Sequence, residues 1–283
     1  MLLQTSRGDA RNFQISFQLL FIFYGVLQLH WYTAWLHYLL FIVATLLFQW
    51  LASCVAAMQF SLAGIIKNGA WKSALISSLG LCLLLKVNYW PYCLLAAGIM
   101  VASKFLLQFK HRHLFNPSAF AIAVMVLLTG KAWISPAQWG SNAVLFFAVI
   151  CLGVIVATKV QQLDVTIAFI VTYAGLTFVR QVLYLGWPID FFVQTVSTGS
   201  LLLFSFFMIT DPKTTPNHPG ARLLWASIIG GAAFYLATFL FIQGAPIWAL
   251  VCSQPLVPVL NHFFKHHPFT WHNTNSKPVL INL

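Results

Sequence analysis

Long apolar runs follow one another along this chain with almost no charge inside them. A bilayer core of ~30 Å takes about 20 apolar residues per helix. Runs of that order recur near 13–31, 34–57, 73–86, 90–107, 117–131, 139–158, 164–184, 190–210, 221–243 and 246–264. Backbone in lipid has no water to bond, so each run is read as a helix. The resulting fold class is all-α: a polytopic membrane bundle of about ten transmembrane helices. The third run is short. The stretch 59–72 ahead of it holds Gly64, Lys67, Gly69 and Lys72, as an interfacial or re-entrant piece would.

Composition closes the other routes. Only 7% of the 283 residues are charged, against roughly 25% in soluble domains. There is no Glu, and Asp9, Asp164, Asp190 and Asp211 are the only acidic residues. That excludes a soluble enzyme built on paired carboxylates. The net charge of +11 comes from 15 basic residues scattered between apolar runs, not from a basic face for nucleic acid. Cys54, Cys82, Cys93, Cys151 and Cys252 stand apart inside apolar runs, which excludes a disulfide framework and a zinc ribbon. Each is expected to pack as a small hydrophobe. Arg7 and Arg11 precede the first run as in a signal peptide, but His30-Trp31-Tyr32 stands where a cleavage site is needed, so it is read as an uncleaved span.

Charge assigns the sides. With the N-terminus inside, the inner segments hold Arg7, Arg11, Lys67, Lys72, Lys104, Lys110, Arg112, Lys159, Lys213, Arg222, Lys265 and Lys277, and the outer ends only Lys86, Lys131 and Arg180. Twelve against three is a positive-inside bias that places both termini in the cytoplasm of a plasma (bacterial inner) membrane. Aromatic clusters Trp31/Tyr32/Trp35, Tyr89/Trp90/Tyr92 and Tyr184/Trp187 fall on outer ends, as interfacial belts do.

The expected organisation is a cytoplasmic N-terminus (1–12), a first five-helix half (13–131), a connection (132–138), a second half (139–264) and a cytoplasmic tail (265–283). An odd number of helices per half makes any repeat an inverted one. The third and eighth spans then correspond, and Ser77-Ser78-Leu79-Gly80-Leu81 is loosely like Ser197-Thr198-Gly199-Ser200-Leu201.

Two inner segments break the apolar rule. In Lys110-His111-Arg112-His113-Leu114-Phe115-Asn116-Pro117-Ser118-Ala119, Asn116 and Pro117 suit a helix start. Either this is a well-capped span behind a basic loop, or the helix N-terminus ringed by Lys110, His111, Arg112 and His113 attracts an anion such as a flavin phosphate. The second segment runs Phe207-Met208-Ile209-Thr210-Asp211-Pro212-Lys213-Thr214-Thr215-Pro216-Asn217-His218-Pro219-Gly220-Ala221-Arg222, with three prolines in eight residues. It is a tight proline turn or a rigid binding loop, with Asp211 bonding nearby amides or pairing with Lys213 or Arg222. Both segments lie on one side, so a joint site is open to them.

These residues carry a resemblance. Phe115-Asn116-Pro117-Ser118-Ala119, followed some 90 residues later by Phe207-Met208-Ile209-Thr210-Asp211-Pro212, resembles the NqrB/RnfD family of membrane proteins, which serve the sodium-pumping NADH:quinone oxidoreductase and the Rnf electron-transport complex. The variant Thr210-Asp211-Pro212-Lys213-Thr214-Thr215-Pro216 is most similar to short stand-alone members, including those encoded beside enediyne biosynthesis genes. The resemblance implies ten helices in two inverted halves related to urea transporters, partner subunits of a membrane redox complex, and a flavin (FMN or riboflavin) held non-covalently in some members. Full-length respiratory members attach FMN covalently to a Thr of a Ser-Gly-Ala-Thr type sequence on an outer loop. Here that loop is Leu185-Gly186-Trp187-Pro188-Ile189, without an acceptor Thr, so no covalent flavin is expected.

Among interior polar residues, Gln194, Ser197, Thr198 and Ser205 fall on one face of the eighth span at helical spacing, and Ser73, Ser77 and Ser78 mark the third. They serve helix packing or line a polar centre. Arg180 and Asp190 bracket the outer end of spans seven and eight and are expected to pair, because a lone charge at that depth is costly. His262, His266 and His267 have no carboxylate or thiolate beside them, so no metal site is expected. No phosphate loop, nucleophile elbow or HExxH occurs, and no catalytic residue is assigned.

The sites expected to contact a cofactor are thus Asn116, Pro117, Ser118, Ser197, Thr198, Thr210, Asp211 and Lys213, with His111, Arg112, His113 and Arg222 as anion contacts. The function expected is that of a flavin-holding subunit of an electron-transport complex, coupled to cation translocation. The alternative is a transporter or channel-like protein for a small polar solute or flavin.

Overall fold

A computed structural model describes residues 9–31, 35–57, 69–110, 112–136, 143–264 and 266. Helices dominate it. The first half holds α1 (Ala10–Leu27), α2 (Trp35–Ala57), α3 (Ala70–Leu84), α4 (Pro91–Leu106) and α5 (Pro117–Thr129). The second holds α6 (Ala143–Lys159), α7 (Leu163–Phe178, prolonged by a π turn Val179–Tyr184), α8 (Ile189–Val196), α9 (Gly199–Leu203, prolonged by a π turn Phe204–Met208), α10 (Pro219–Thr238), α11 (Ala245–Ser253) and α12 (Val257–Phe263). The all-α reading holds.

By length and composition, Trp35–Ala56, Leu163–Tyr184 and Pro219–Thr238 can each cross a membrane, and the bent pair Ile189–Val196 plus Gly199–Met208 adds a fourth if taken as one span. Ten spans are not reached on that criterion, because α3, α4, α5 and Phe146–Lys159 are apolar but shorter. Lipid as solvent is visible on the surface. Val55, Leu128, Leu183 and Phe241 are all largely exposed, a pattern of exposed apolar side chains that water would not tolerate. The centre is made of residues such as Leu81, Ala96, Phe169, Trp225 and Ile229, all closed to solvent. Cys54, Cys82 and Cys93 are buried, as expected, but Cys151 and Cys252 are exposed and do not pack in the core.

Start signals sit where the chain needs them. Proline occupies the first turn of α4, α5, α10 and α11, where its missing N–H costs no helical bond. The Asp9 carboxylate accepts from Arg11 N at the head of α1 (3.0 Å).

Three departures from regular helix shape the molecule's two ends. First, α3 ends in an extended segment, β1 (Leu85–Val87), which pairs antiparallel with β4 (Ala132–Ile134), Lys86 opposite Trp133. The expected simple connection at 132–138 is therefore partly a strand, which satisfies the backbone that α3 leaves unpaired. Second, β2 (Gln108–Phe109) and β3 (Arg112–His113) make a short hairpin before α5. Third, the run read as one eighth span breaks at Ser197-Thr198 and bends by 48°.

The two halves repeat a pattern of neighbours. In the first, α1 packs on α3, α2 on α4, and α4 on α5; in the second, α6 packs on α9 and its π turn, α7 on α10, and α10 on α11. Between the two sets of helices, α1 packs on α6 and α5 on α11.

Candidate functional site

The motif around Asn116 and the loop after α9 meet. Asn116 is buried and uses every polar group of its side chain. Its Oδ1 caps α5 by accepting from Ala119 N (3.2 Å) and also accepts from Ser118 Oγ (3.1 Å). Its Nδ2 donates to Met208 O (3.1 Å), and its backbone N–H donates to Gln254 Oε1 (3.0 Å). The π turn that ends at Met208 shifts the carbonyl ladder, and the carbonyl it presents is taken by Asn116. One side chain thus ties the head of α5 to the end of the π turn that follows α9.

The proline loop is held by its own polar groups. Asp211 Oδ1 accepts from Lys213 N (3.1 Å), and the Asp211 carbonyl accepts from the hydroxyls of Thr214 (3.3 Å) and Thr215 (3.1 Å). Thr210 Oγ1 donates back to Phe206 O. His113 Nε2 stands 3.5 Å from Asp211 Oδ2. Burial acts to raise the Asp211 carboxyl pKa, but His113 and the Lys213 backbone and charge outweigh it and hold the carboxyl below its ordinary value. Arg112 locks the loop from the hairpin side, donating to Pro212 O and to Asn217 Oδ1 (2.8 Å).

Between these parts lies a cavity of about 290 Å³, at the lower end of small-molecule sites. Of the expected residues, it brings together His113, Asn116, Pro117, Ser118, Thr210, Asp211 and Lys213. Ser73 and Ser77 of α3 line it too, while Ser78 Oγ turns to Leu75 O (2.8 Å) and serves packing.

Other expected residues lie elsewhere. Ser197 and Thr198 sit at the break between α8 and α9, away from the cavity; Thr198 is extended and heads α9, and Ser200 N donates to Pro136 O (3.0 Å). Helical spacing misplaced them because the helix is not continuous there. Arg222 is not an anion contact: it pairs with Asp164 (2.9 Å) and donates to Gln161 O (3.2 Å), joining the heads of α10 and α7. Arg112 likewise directs its donors into the loop and does not line the cavity. His111 lies outside the described residues. The expected ion pair of Arg180 with Asp190 does not form. Arg180 lies over the rings of Phe239 (4.5 Å) and Tyr184 (5.9 Å), a cation–π arrangement that answers its charge. Asp190 is exposed in the first turn of α8, where the helix dipole favours an acid.

Among the polar and charged lining residues that were not foreseen are Arg11, Gln14, Gln18, Gln49 and Lys104. Gln14 and Gln18 are four apart on an apolar helix, a spacing that puts both amides on one face. Gln18 is buried, and its Oε1 has no hydrogen-bond partner among the described residues. Lys104 Nζ donates to Gln49 Oε1 (3.0 Å) and Ser73 Oγ (3.2 Å). The lining therefore joins cations (Arg11, Lys104, Lys213) and His113 to neutral amides and hydroxyls, with Asp211 its one carboxylate among the described residues. Such a surface suits a polar ligand that carries negative charge.

Fold and site together define a multi-pass membrane protein with a polar cavity at one end of a helical bundle. Residues 105–270 match the NQR2, RnfD, RnfE family, more than half of the chain. The chain belongs to that family of electron-transport membrane subunits. No curated protein matches it by sequence.

Proposed function

We propose that this chain is a membrane subunit of an electron-transport complex that holds a flavin, FMN or riboflavin, non-covalently in the cavity between α5 and the proline loop. The observation that carries the reading is the Asn116–Met208 bond, which makes one site of the two segments bearing the family resemblance. Gln18 Oε1 supports it. A buried acceptor without a donor costs roughly 1–3 kcal/mol, and a flavin ring presents an imide N–H of the kind it lacks. Lys104 and Lys213 would face the electron-rich ring or a phosphate, Ser77 and Ser118 would orient it, and Asp211 would fix His113. When bound, the flavin supplies one- and two-electron chemistry; the residues here bind and orient. Cation coupling, which the family resemblance suggests, belongs to the same reading.

The same reading places the cationic end in the cytoplasm, on the positive-inside rule, with both termini there, in a plasma membrane and beside partner subunits. The matching neighbour patterns of the two halves support an inverted repeat.

Adding FMN or riboflavin to flavin-stripped protein in nanodiscs tests the site. Quenching of flavin fluorescence at one equivalent is expected, weakened about tenfold by Gln18→Leu through loss of one buried hydrogen bond. Absence of saturable quenching by either flavin would refute it.

A second reading has its own support. Another cavity of about 290 Å³ lies at the opposite end of the bundle, lined by Cys82, Leu85 and Lys86, while Gly80 lines the first. Gly80 and Cys82 are about 3 Å apart along the helix axis, so along α3 the two cavities are separated by the closed residue Leu81. That arrangement suits passage of a small polar solute. Proteoliposome uptake would detect it, and no flux would remove this alternative.

A further inference from the structure

We propose that the cavity at the opposite end is a binding site for a small organic carboxylate with an apolar body. It is built from the start of α2 (His37, Tyr38, Phe41), from Trp31, from the α3–β1 junction and from Trp133 and Ser135 after α5. Among the described residues, no carboxylate lines it.

Lys86 sets the charge preference. Its ammonium donates to Tyr38 Oη (3.0 Å) and to Cys82 O (3.5 Å) and lies over the Tyr38 ring (4.9 Å) and the Trp31 ring (5.8 Å). An ammonium has three donors, so one remains for a ligand. Tyr38 Oη accepts from Lys86, which leaves its own proton to donate. Every side-chain carboxylate that could answer Lys86 is elsewhere. Asp9 pairs with Arg11 and Lys72, Asp164 with Arg222, and Asp211 with His113. Asp190 stands exposed on α8 and forms no ion pair with Lys86 among the described residues. A half-buried cation beside lipid without a counter-ion is costly, and a bound anion relieves that cost.

The rest of the lining decides the body of the ligand. Phe41, Leu85, Val87 and the ring of Trp133 are apolar, which suits an aromatic carboxylate better than phosphate or chloride. The β1–β4 ladder holds Lys86 opposite Trp133, so cation and aromatic wall are fixed on rigid backbone and not on a loose loop. This inference stands apart from the flavin reading, because no described residue lines both cavities.

Calorimetric titration of benzoate into the protein in phosphatidylcholine nanodiscs tests it, with benzamide as the neutral counterpart. The expected result is saturable benzoate binding at one equivalent, at least about tenfold tighter than benzamide, the size of one charge-assisted hydrogen bond. Lys86→Gln should erase the preference, Lys86→Arg should keep it, and Tyr38→Phe should weaken benzoate several-fold. Flavin content should stay unchanged in all three, which separates this site from the first. Absence of saturable benzoate binding to the unaltered protein would overturn the proposal. So would an undiminished preference in well-folded Lys86→Gln.

Discussion

Asn116 is the residue on which the cavity hangs. Its amide caps α5 and crosses to Met208 O, so Asn116→Ala removes a cap worth about 1 kcal/mol and strands a buried carbonyl at about 1–3 kcal/mol more. The expected result is a fall of about 2–4 kcal/mol in stability, read as a lower thermal midpoint in detergent. Asn116→Asp, which keeps the cap but loses the donor to Met208, should recover only the smaller part. Asp211 makes a pH prediction. Its folded pKa lies below the ordinary 3.8, so its contribution is present above that value and is lost as pH falls through the depressed one. Asp211→Asn should therefore be less stable than the unaltered protein near neutrality, and the gap should close in acid below that value. Stability curves that stay equally far apart at all pH values would contradict this. At this scale the sequence was partly legible. Asn before Pro announces a cap, but nothing in it says that the same amide also bonds a carbonyl 92 residues on. Arg112 and Arg222 misled because a basic residue near a helix start fits an anion site and a structural tie equally well.

Elements are where regular periodicity failed. The run 190–210 is apolar almost throughout and reads as one helix, yet it breaks at Thr198 and ends in a π turn. Hydrophobicity reports the solvent, not continuity, and Ser-Thr-Gly is compatible with either. The strand Leu85–Val87 was hidden because its partner, Ala132–Ile134, is far along the chain and no local pattern announces the pairing. Close packing of α7 on α10 depends on Gly230, where a Cβ would stand 3.0 Å from Phe169 O and from Thr172 Cβ. Gly231 next to it has open space. Gly230→Val should cost about 1–3 kcal/mol more than Gly231→Val, from overpacking alone. Equal thermal midpoints for the two variants would show that α7 and α10 are not in this contact.

The whole molecule separates its charges by end. Arg11 and Lys72 share Asp9, Lys104 reaches Ser73, Arg112 holds Pro212, and Arg222 pairs with Asp164, all at the end that carries the first cavity. Lys86 and Arg180 are at the far end, against aromatic rings. This division was legible in the sequence because the positive-inside rule needs only alternation of loops, not the exact helices. In a background without native cysteines, Lys131→Cys should react with an impermeant maleimide on intact cells and Lys213→Cys only after permeabilisation; labelling both from outside would reverse or dissolve the map. What the sequence could not show was the cavity itself, because Gln14, Gln18, Gln49 and Lys104 converge on it from three separate helices.

The most direct test of the flavin site is the absorbance spectrum of protein purified in detergent, taken before and after acid precipitation. Flavin bands near one equivalent are expected, passing wholly into the acid supernatant. Protein isolated intact without those bands, or with colour remaining in the pellet, would contradict a non-covalent flavin between Asn116 and Lys213.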